Sequence, residues 1–178
     1  MNRVAEILQR GGIGVIATDT LYGVVGQALK RDAVERIYKV KKRTPTKPFI
    51  ILISDIEDLK LFDVKIDQSM QASLKEYWPG PVSIILDCIN PNFEYLHRGT
   101  YTLAFRMPAK LELAKLLKTT GPLVAPSANP EGLNPAQDIN EAKAYFGDEV
   151  DFYQEGVVNL KPSKIIRITS EGIEVIRA

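Results

Sequence analysis

Apolar positions along the chain recur with two periods. Val4, Ile7 and Leu8 fall on one helical face, and the stripe stops at Gly11-Gly12. Val34, Ile37 and Tyr38 form a second stripe, with Asp32 and Glu35 three residues apart as a capping-box-like start. Leu74 and Trp78 predict a third helix, ended by the Trp-Pro-Gly-Pro run at 78–81 because proline lacks an N–H and fixes φ. Leu111 to Leu117 and the stretch behind Asp138 and Glu141 predict two more. Between them, the runs IGVIA, FIILI, VSIIL, YTLAF and PLVA predict short strands, and SKIIRI and GIEVIR predict two further strands around a Ser-Glu-Gly turn. TDTLYGVVG reads as a glycine-punctuated connection. Helices alternating with strands imply an α/β sheet with helices packed on it.

Composition narrows the class. The 178 residues suit one domain spanning 1–178, and 45% hydrophobic with 25% charged residues is an ordinary globular balance. A net charge of +1 means that any phosphate affinity must come from local clustering. One cysteine, Cys88, cannot form an internal disulfide and reads as a buried thiol in VSIILDCI. One histidine and one cysteine, with no carboxylate cluster at ligand spacing, argue against a protein-held metal. The first residues show no basic-then-apolar leader, and no apolar run approaches the ~18 residues of a membrane span. The expectation is a soluble, cytoplasmic protein without a membrane partner.

The candidate chemistry lies in loops. From Lys39 to Lys47 there are five cations and no carboxylate. They read either as a solvated helix end near the negative helix pole or as a phosphate grip. Neither a G-x-x-x-x-G-K-[ST] nor a G-x-G-x-x-G motif is present, so phosphates would have to be held by side chains. In APSANPEG, Ser127 and Asn129 lie in a proline-rich loop after an apolar run. Ser127 lacks the G-x-S-x-G context of a nucleophile, and His97 sits in a stretch, NFEYLHRGT, that reads as unstructured. Ser127 and Asn129 therefore either bind a small polar ligand or satisfy a tight turn. Two threonines flank Asp19 just after a strand, where open α/β sheets bind ligands. Arg106, ending a strand before Pro108, could fork onto a carboxylate or else needs a structural partner.

Taken together, ATDTLYG, Lys41-Lys42-Arg43 with KPFIILI, the intact Trp78–Pro81, Arg106-x-Pro108, Ser127-x-Asn129 and PSKI resemble, in order, the motifs of the YrdC-like family of threonylcarbamoyl-AMP synthases. The likeness runs from about Gly12 to Arg177. It implies an α/β fold with a YrdC-like twisted mixed β-sheet flanked by helices, enclosing a basic concave cleft. It also implies condensation of L-threonine, bicarbonate and ATP to threonylcarbamoyl-AMP with release of pyrophosphate. The product would serve tRNA N6-threonylcarbamoyladenosine formation through downstream transfer proteins, with Mg2+ carried by the ATP. By the same resemblance Lys41 and Arg43 are catalytic, and Lys41, Arg43, Lys47, Thr102, Asn129, Gln137 and Arg177 bind ATP. Thr20, Arg106, Ser127 and Ser163 hold the threonine, and Ser127 is a wall rather than a nucleophile. The competing expectation is an RNA-binding protein that grips double-stranded RNA or tRNA in the basic cleft, which would lose affinity steeply with salt.

Overall fold

Successive residues of the central strands are buried on opposite faces of one sheet, so most apolar residues of the chain belong to one of two cores. The computed structural model describes residues 3–169 and 172–178. In chain order the elements are α1 (Arg3–Gln9), β1 (Gly14–Ala17), β2 (Tyr22–Gln27), α2 (Arg31–Val40) and β3 (Ile50–Leu52). A 3-10 turn at Ile56–Phe62 precedes α3 (Gln68–Tyr77), β4 (Val82–Asp87), α4 (Glu94–His97) and β5 (Thr102–Arg106). Then come α5 (Leu111–Thr120), β6 (Leu123–Val124), α6 (Ile139–Phe146), β7 (Phe152–Gln154), β8 (Lys164–Thr169) and β9 (Gly172–Arg177). Among the described residues the strands form one mixed sheet in the order β7-β1-β2-β6-β3-β5-β4-β8-β9. β3–β5, β1–β7 and β4–β8 are parallel pairs and the others antiparallel.

The alternation is visible residue by residue. Val15, Val24 and Ile51 enter the larger core with Val34, Ile37 and Phe105, while their neighbours Ile16, Val25 and Leu52 enter a smaller core with Leu8, Leu113, Leu117 and Leu123. Helix α2 supplies the larger core, and α1 with α5 the smaller. Fully burying each of these aliphatic side chains is worth about 1.5–3 kcal/mol.

Where the structure departs from the sequence reading, the causes are local. TDTLYGVVG is not only a connection, because its second half is β2, buried at five of six positions. Gly26 belongs there because a Cβ would lie 3.0 Å from Ile13 and 3.1 Å from Ile37. The N-cap of α2 is Lys30, whose side chain caps nothing, so Asp32 and Glu35 make no capping box. Asp32 instead lies in the first turn, near the positive helix pole. Asp138 does cap α6, accepting from Asn140 N at 2.8 Å and Glu141 N at 2.9 Å. His97 is not in an unstructured stretch; it ends α4 and is buried. Cys88 is buried too. Of the Ser-Glu-Gly turn, Ser170 and Glu171 lie outside the described residues. No helix among the described residues is long and apolar enough to cross a membrane.

Candidate active site

The sheet face that α1 and α5 cover stays open farther along. In β3, Ile50 shares the face of Leu52, and the register pairs Leu52 with Arg106. In β4, β8 and β9, Ser83, Ile165 and Arg177 are register partners in turn, so all three share one face. Ile50, Arg106, Ile165 and Arg177 line a cavity of about 660 Å³. Its remaining walls are the segments around Thr18–Gly23, Arg43–Phe49, Ala125–Ser127, Asn134–Gln137 and Leu160–Ser163. Three arginines and no carboxylate are among the lining residues.

The threonine turn after β1 is organised by Thr18. Its hydroxyl donates to Leu21 O at 2.7 Å and accepts from Thr20 N at 3.1 Å and Leu21 N at 3.2 Å, a side-chain-closed turn. That geometry leaves Thr20, almost fully buried, at the cavity wall and presents Asp19 to Arg106. The Arg106 Nη1 donates to Asp19 Oδ1. Arg106 is only 3% exposed, and its Nε has no hydrogen-bond partner. Burial pushes its pKa down and Asp19 pushes it back up. A buried guanidinium with one satisfied edge and one orphaned donor suits a planar carboxylate.

Opposite it, Arg177 folds over Ser163. Its Nη2 donates to Ser163 O at 2.6 Å and to Ser163 Oγ at 3.2 Å, and its Nε to Ser163 O at 3.1 Å. The Ser163 hydroxyl also lies 2.9 Å from that of Ser83. Burial lowers the Arg177 pKa, and the like charge of Arg106 adds to that. Two guanidinium groups within Coulombic reach of each other favour an anion between them.

The basic segment does not act as one patch. Backbone bonds from Lys42 N to Lys39 O and Arg43 N to Tyr38 O, with Lys42 at φ 50°, close α2 in a Schellman motif. The left-handed turn at Lys42 sends Arg43 to the cavity while Lys41 turns inward, 2% exposed. Lys41 Nζ donates to Ser127 O and Asn129 O, so it holds the far loop from behind. Burial, then the nearby Arg43, lower its pKa to about 7. In that loop Ser127 Oγ donates to Asn129 Oδ1 at 2.6 Å, and Asn129 Nδ2 donates to Leu133 O at 2.7 Å. Asn129 therefore shapes the loop, and Ser127 lines the cavity with its hydroxyl donated to an amide oxygen rather than to a base.

Of the residues singled out from the sequence, the cavity gathers Thr20, Arg43, Arg106, Ser127, Gln137, Ser163 and Arg177. Lys41, Lys47, Thr102 and Asn129 are not among its lining residues. Thr102 opens β5 four residues before Arg106, with its hydroxyl 3.4 Å from that of Thr100. Of the two threonines that flank Asp19, Thr18 shapes the turn, and sequence reasoning gave no role to Tyr22 or Lys110. Tyr22 Oη donates to Gly156 O at 2.7 Å, and Lys110 Nζ donates to Ala17 O at 3.1 Å and Val157 O at 3.0 Å. Together they tie the irregular 155–163 segment to the threonine turn; the only hint was their position beside the Thr-Asp-Thr and Arg-x-Pro motifs. Among the described residues no group of three or more His, Cys, Asp or Glu is placed to hold a metal ion.

This chain is similar to known proteins over nearly its full length. The family model Sua5_yciO_yrdC, described as "Telomere recombination", matches residues 6–178. The threonylcarbamoyl-AMP synthase of Marinobacter nauticus is 32% identical, with 90% of this chain and 86% of that protein covered. That of Nitrosococcus oceani is 33% identical, with 90% and 89% covered. The crystal structure of P. abyssi Sua5 complexed with L-threonine superposes with a TM-score of 0.89 at 28% identity; it matches 98% of this chain but only 52% of the longer one. E. coli YciO shares the fold, with a TM-score of 0.84 at 24% identity over 98% of this chain and 86% of that one. With the family model reaching from Glu6 to the last residue, and relatives above 30% identity matched almost end to end, this chain belongs to the Sua5/YciO/YrdC family.

Proposed function

We propose that this protein is an L-threonylcarbamoyladenylate synthase, acting as one domain in the cytoplasm. The observation that carries the reading is the buried Arg106 with its unpartnered Nε, facing a cavity ringed by Thr20, Ser127 and Ser163 hydroxyls and by Arg43 and Arg177. The naming of the relatives as threonylcarbamoyl-AMP synthases supports it, as does L-threonine in the P. abyssi Sua5 structure.

In this reading the threonine carboxylate lies on Arg106, and the hydroxyls of Thr20, Ser127 and Ser163 orient its amine and side chain. The amine nitrogen forms a bond to the bicarbonate carbon with loss of water, giving a carbamate. A carbamate oxygen then attacks the α-phosphorus of ATP, the α–β P–O bond breaks, and pyrophosphate leaves with the electron pair. Carbamate and triphosphate are both anions, so the catalytic task is neutralisation and alignment rather than covalent help from the protein. Arg43 and Arg177 supply charge at the nucleotide, with Gln137 beside them and Lys47 at the rim. Lys41 and Asn129 keep the Ser127 wall in place, and Thr102 stands at the outer end of β5. Mg2+ would travel with the ATP, and the product would pass to tRNA-modifying partners. RNA binding without adenylation draws less support, because Lys41 is buried and Lys47 is already paired with Glu131.

The test is pyrophosphate release from ATP and bicarbonate with purified protein. Release that depends on L-threonine, and is absent with alanine, is expected; threonine-independent behaviour under all conditions would overturn the reading.

A further inference from the structure

Two of the loops that wall the cavity are latched to each other by a single carboxylate. Glu131 Oε2 accepts from Thr44 N and, at 2.8 Å, from Thr44 Oγ1, while Glu131 Oε1 accepts from Lys47 Nζ. The latch is reinforced by the Glu131 N–H, which donates to Lys41 O at 2.8 Å. Thr44 and Lys47 close a turn of their own, Lys47 N donating to Thr44 O at 3.1 Å. Arg43 and Pro48, on either side of that turn, line the cavity, and so do Ser127 and Asn134, on either side of Glu131. The latch therefore sits at the cavity rim, on half-exposed side chains.

The donor set is informative. A backbone N–H, a hydroxyl and an ammonium converging on two oxygens is what phosphate oxygens require. Lys47, first, then the Thr44 N–H and hydroxyl, pull the Glu131 pKa down to about 2, so the carboxylate is an anion at any physiological pH. We propose that the Glu131 carboxylate occupies a polyphosphate-binding position, and that the terminal phosphates of a nucleoside triphosphate, or released pyrophosphate, displace it from Thr44 and Lys47. Glu131 is then a built-in competitor that keeps the basic rim neutral while the site is empty. Its release on nucleotide binding frees the 41–47 and 127–134 loops to close on the phosphates. A monophosphate, ending short of the rim, would not compete.

This inference rests on reading the cavity as a nucleotide site, and the two can be told apart. Binding of inorganic pyrophosphate, ATP and AMP is measured by calorimetry on the wild type, Glu131→Gln, Lys47→Gln and the double variant. Glu131→Gln keeps the shape of the latch and one carbonyl acceptor but removes its charge. Its affinity for pyrophosphate and ATP should rise about three- to tenfold, with that for AMP unchanged. The gain should vanish in the double variant, because Lys47 is the group that Glu131 occupies. Wild-type binding of ATP with no gain in Glu131→Gln, or an equal gain for AMP, would overturn the competitor and leave the nucleotide site standing. No binding of any of the three by any variant would overturn both. Glu131→Ala, which removes the acceptor altogether, should reproduce the gain; a loss of affinity there would mean that the latch builds the site rather than blocks it, and would also overturn the inference.

Discussion

Replacing Asp19 by asparagine separates the structural from the ligand-binding work of Arg106. Arg106 is nearly fully buried, its side chain 4% exposed against 13% for Asp19, and the two make an ion pair. Removing one member of a buried pair costs about 3–5 kcal/mol, mostly because the other charge is left without compensation. Asparagine retains one acceptor oxygen and Asp19 is slightly wetter than its partner, so the lower end, ~3 kcal/mol, is the expected loss. In a chain of this size, each kcal/mol lowers Tm by about 2–4 °C, so the variant should melt roughly 6–12 °C lower. The second consequence follows from the chemistry proposed for the site. With Asp19 neutral, the carboxylate of L-threonine becomes the main countercharge for Arg106, and binding to the folded state alone raises stability by RT ln(1 + [L]/Kd). Saturating threonine should therefore raise Tm more in Asp19→Asn than in the wild type. Thermal unfolding with and without threonine at one pH and ionic strength reads both effects. A drop of less than ~2 °C, or equal threonine-induced shifts, would refute the role given to the pair.

Lys41 carries a pH signature. Its proton leaves near pH 7 in the folded protein instead of near 10.5. The unfolded chain therefore binds more protons between those values, and stability should rise with pH across that window by up to ~1.4 kcal/mol per unit. Lys41→Met should lack this rise, and parallel urea-unfolding pH profiles of variant and wild type would contradict it. Arg43→Ala should slow turnover at least tenfold, about 1.4 kcal/mol of transition-state stabilisation, while Arg106→Lys should raise the threonine KM by losing the planar fork. Normal steady-state constants in either would remove that assignment. In Gly14→Ala, a Cβ would lie 2.4 Å from ring atoms of Phe152 on β7, so the variant should lose ~1–3 kcal/mol and bind threonine less well. An unchanged Tm and Kd would show that β7 can yield.

The apolar runs specify most strands because each is short, β-branched and bounded by turn residues, as FIILI and VSIIL are. β2 escapes that logic. Its burial on both faces leaves no alternation, and Gly23 and Gly26 look like turn residues when they are in fact close-packed. At the site, the motifs marked which loops matter but not how their side chains divide. Lys41, Arg43 and Lys47 look equivalent in sequence, yet one is buried, one lines the cavity and one is paired at the rim. The turn at Lys42 decides this, through a left-handed φ that nothing in a lysine announces. The partners Asp19–Arg106 and Glu131–Lys47 lie more than eighty residues apart, and only tertiary structure brings them together.

The route from β7 to β8 has a geometric consequence. β7 is the first strand of the sheet and β8 the eighth, seven steps that would span about 34 Å if the sheet were flat. Gln154 and Lys164 are ten residues apart, a reach of at most ~36 Å when fully stretched. The link is not stretched. It stops at Thr20, whose carbonyl accepts from Asn159 N at 3.0 Å and Leu160 N at 2.9 Å, and it turns there with Leu160 at φ 59°. The sheet must therefore bow until its two ends draw together, with the link as the chord of the arc. Leu160, Pro162 and Ser163 on that chord line the cavity held between chord and arc. Because the chord is fastened midway by those two bonds to the Thr20 carbonyl, it can swing off the cavity only when they break, so access to the cavity on that side is gated by the same turn that presents Thr20.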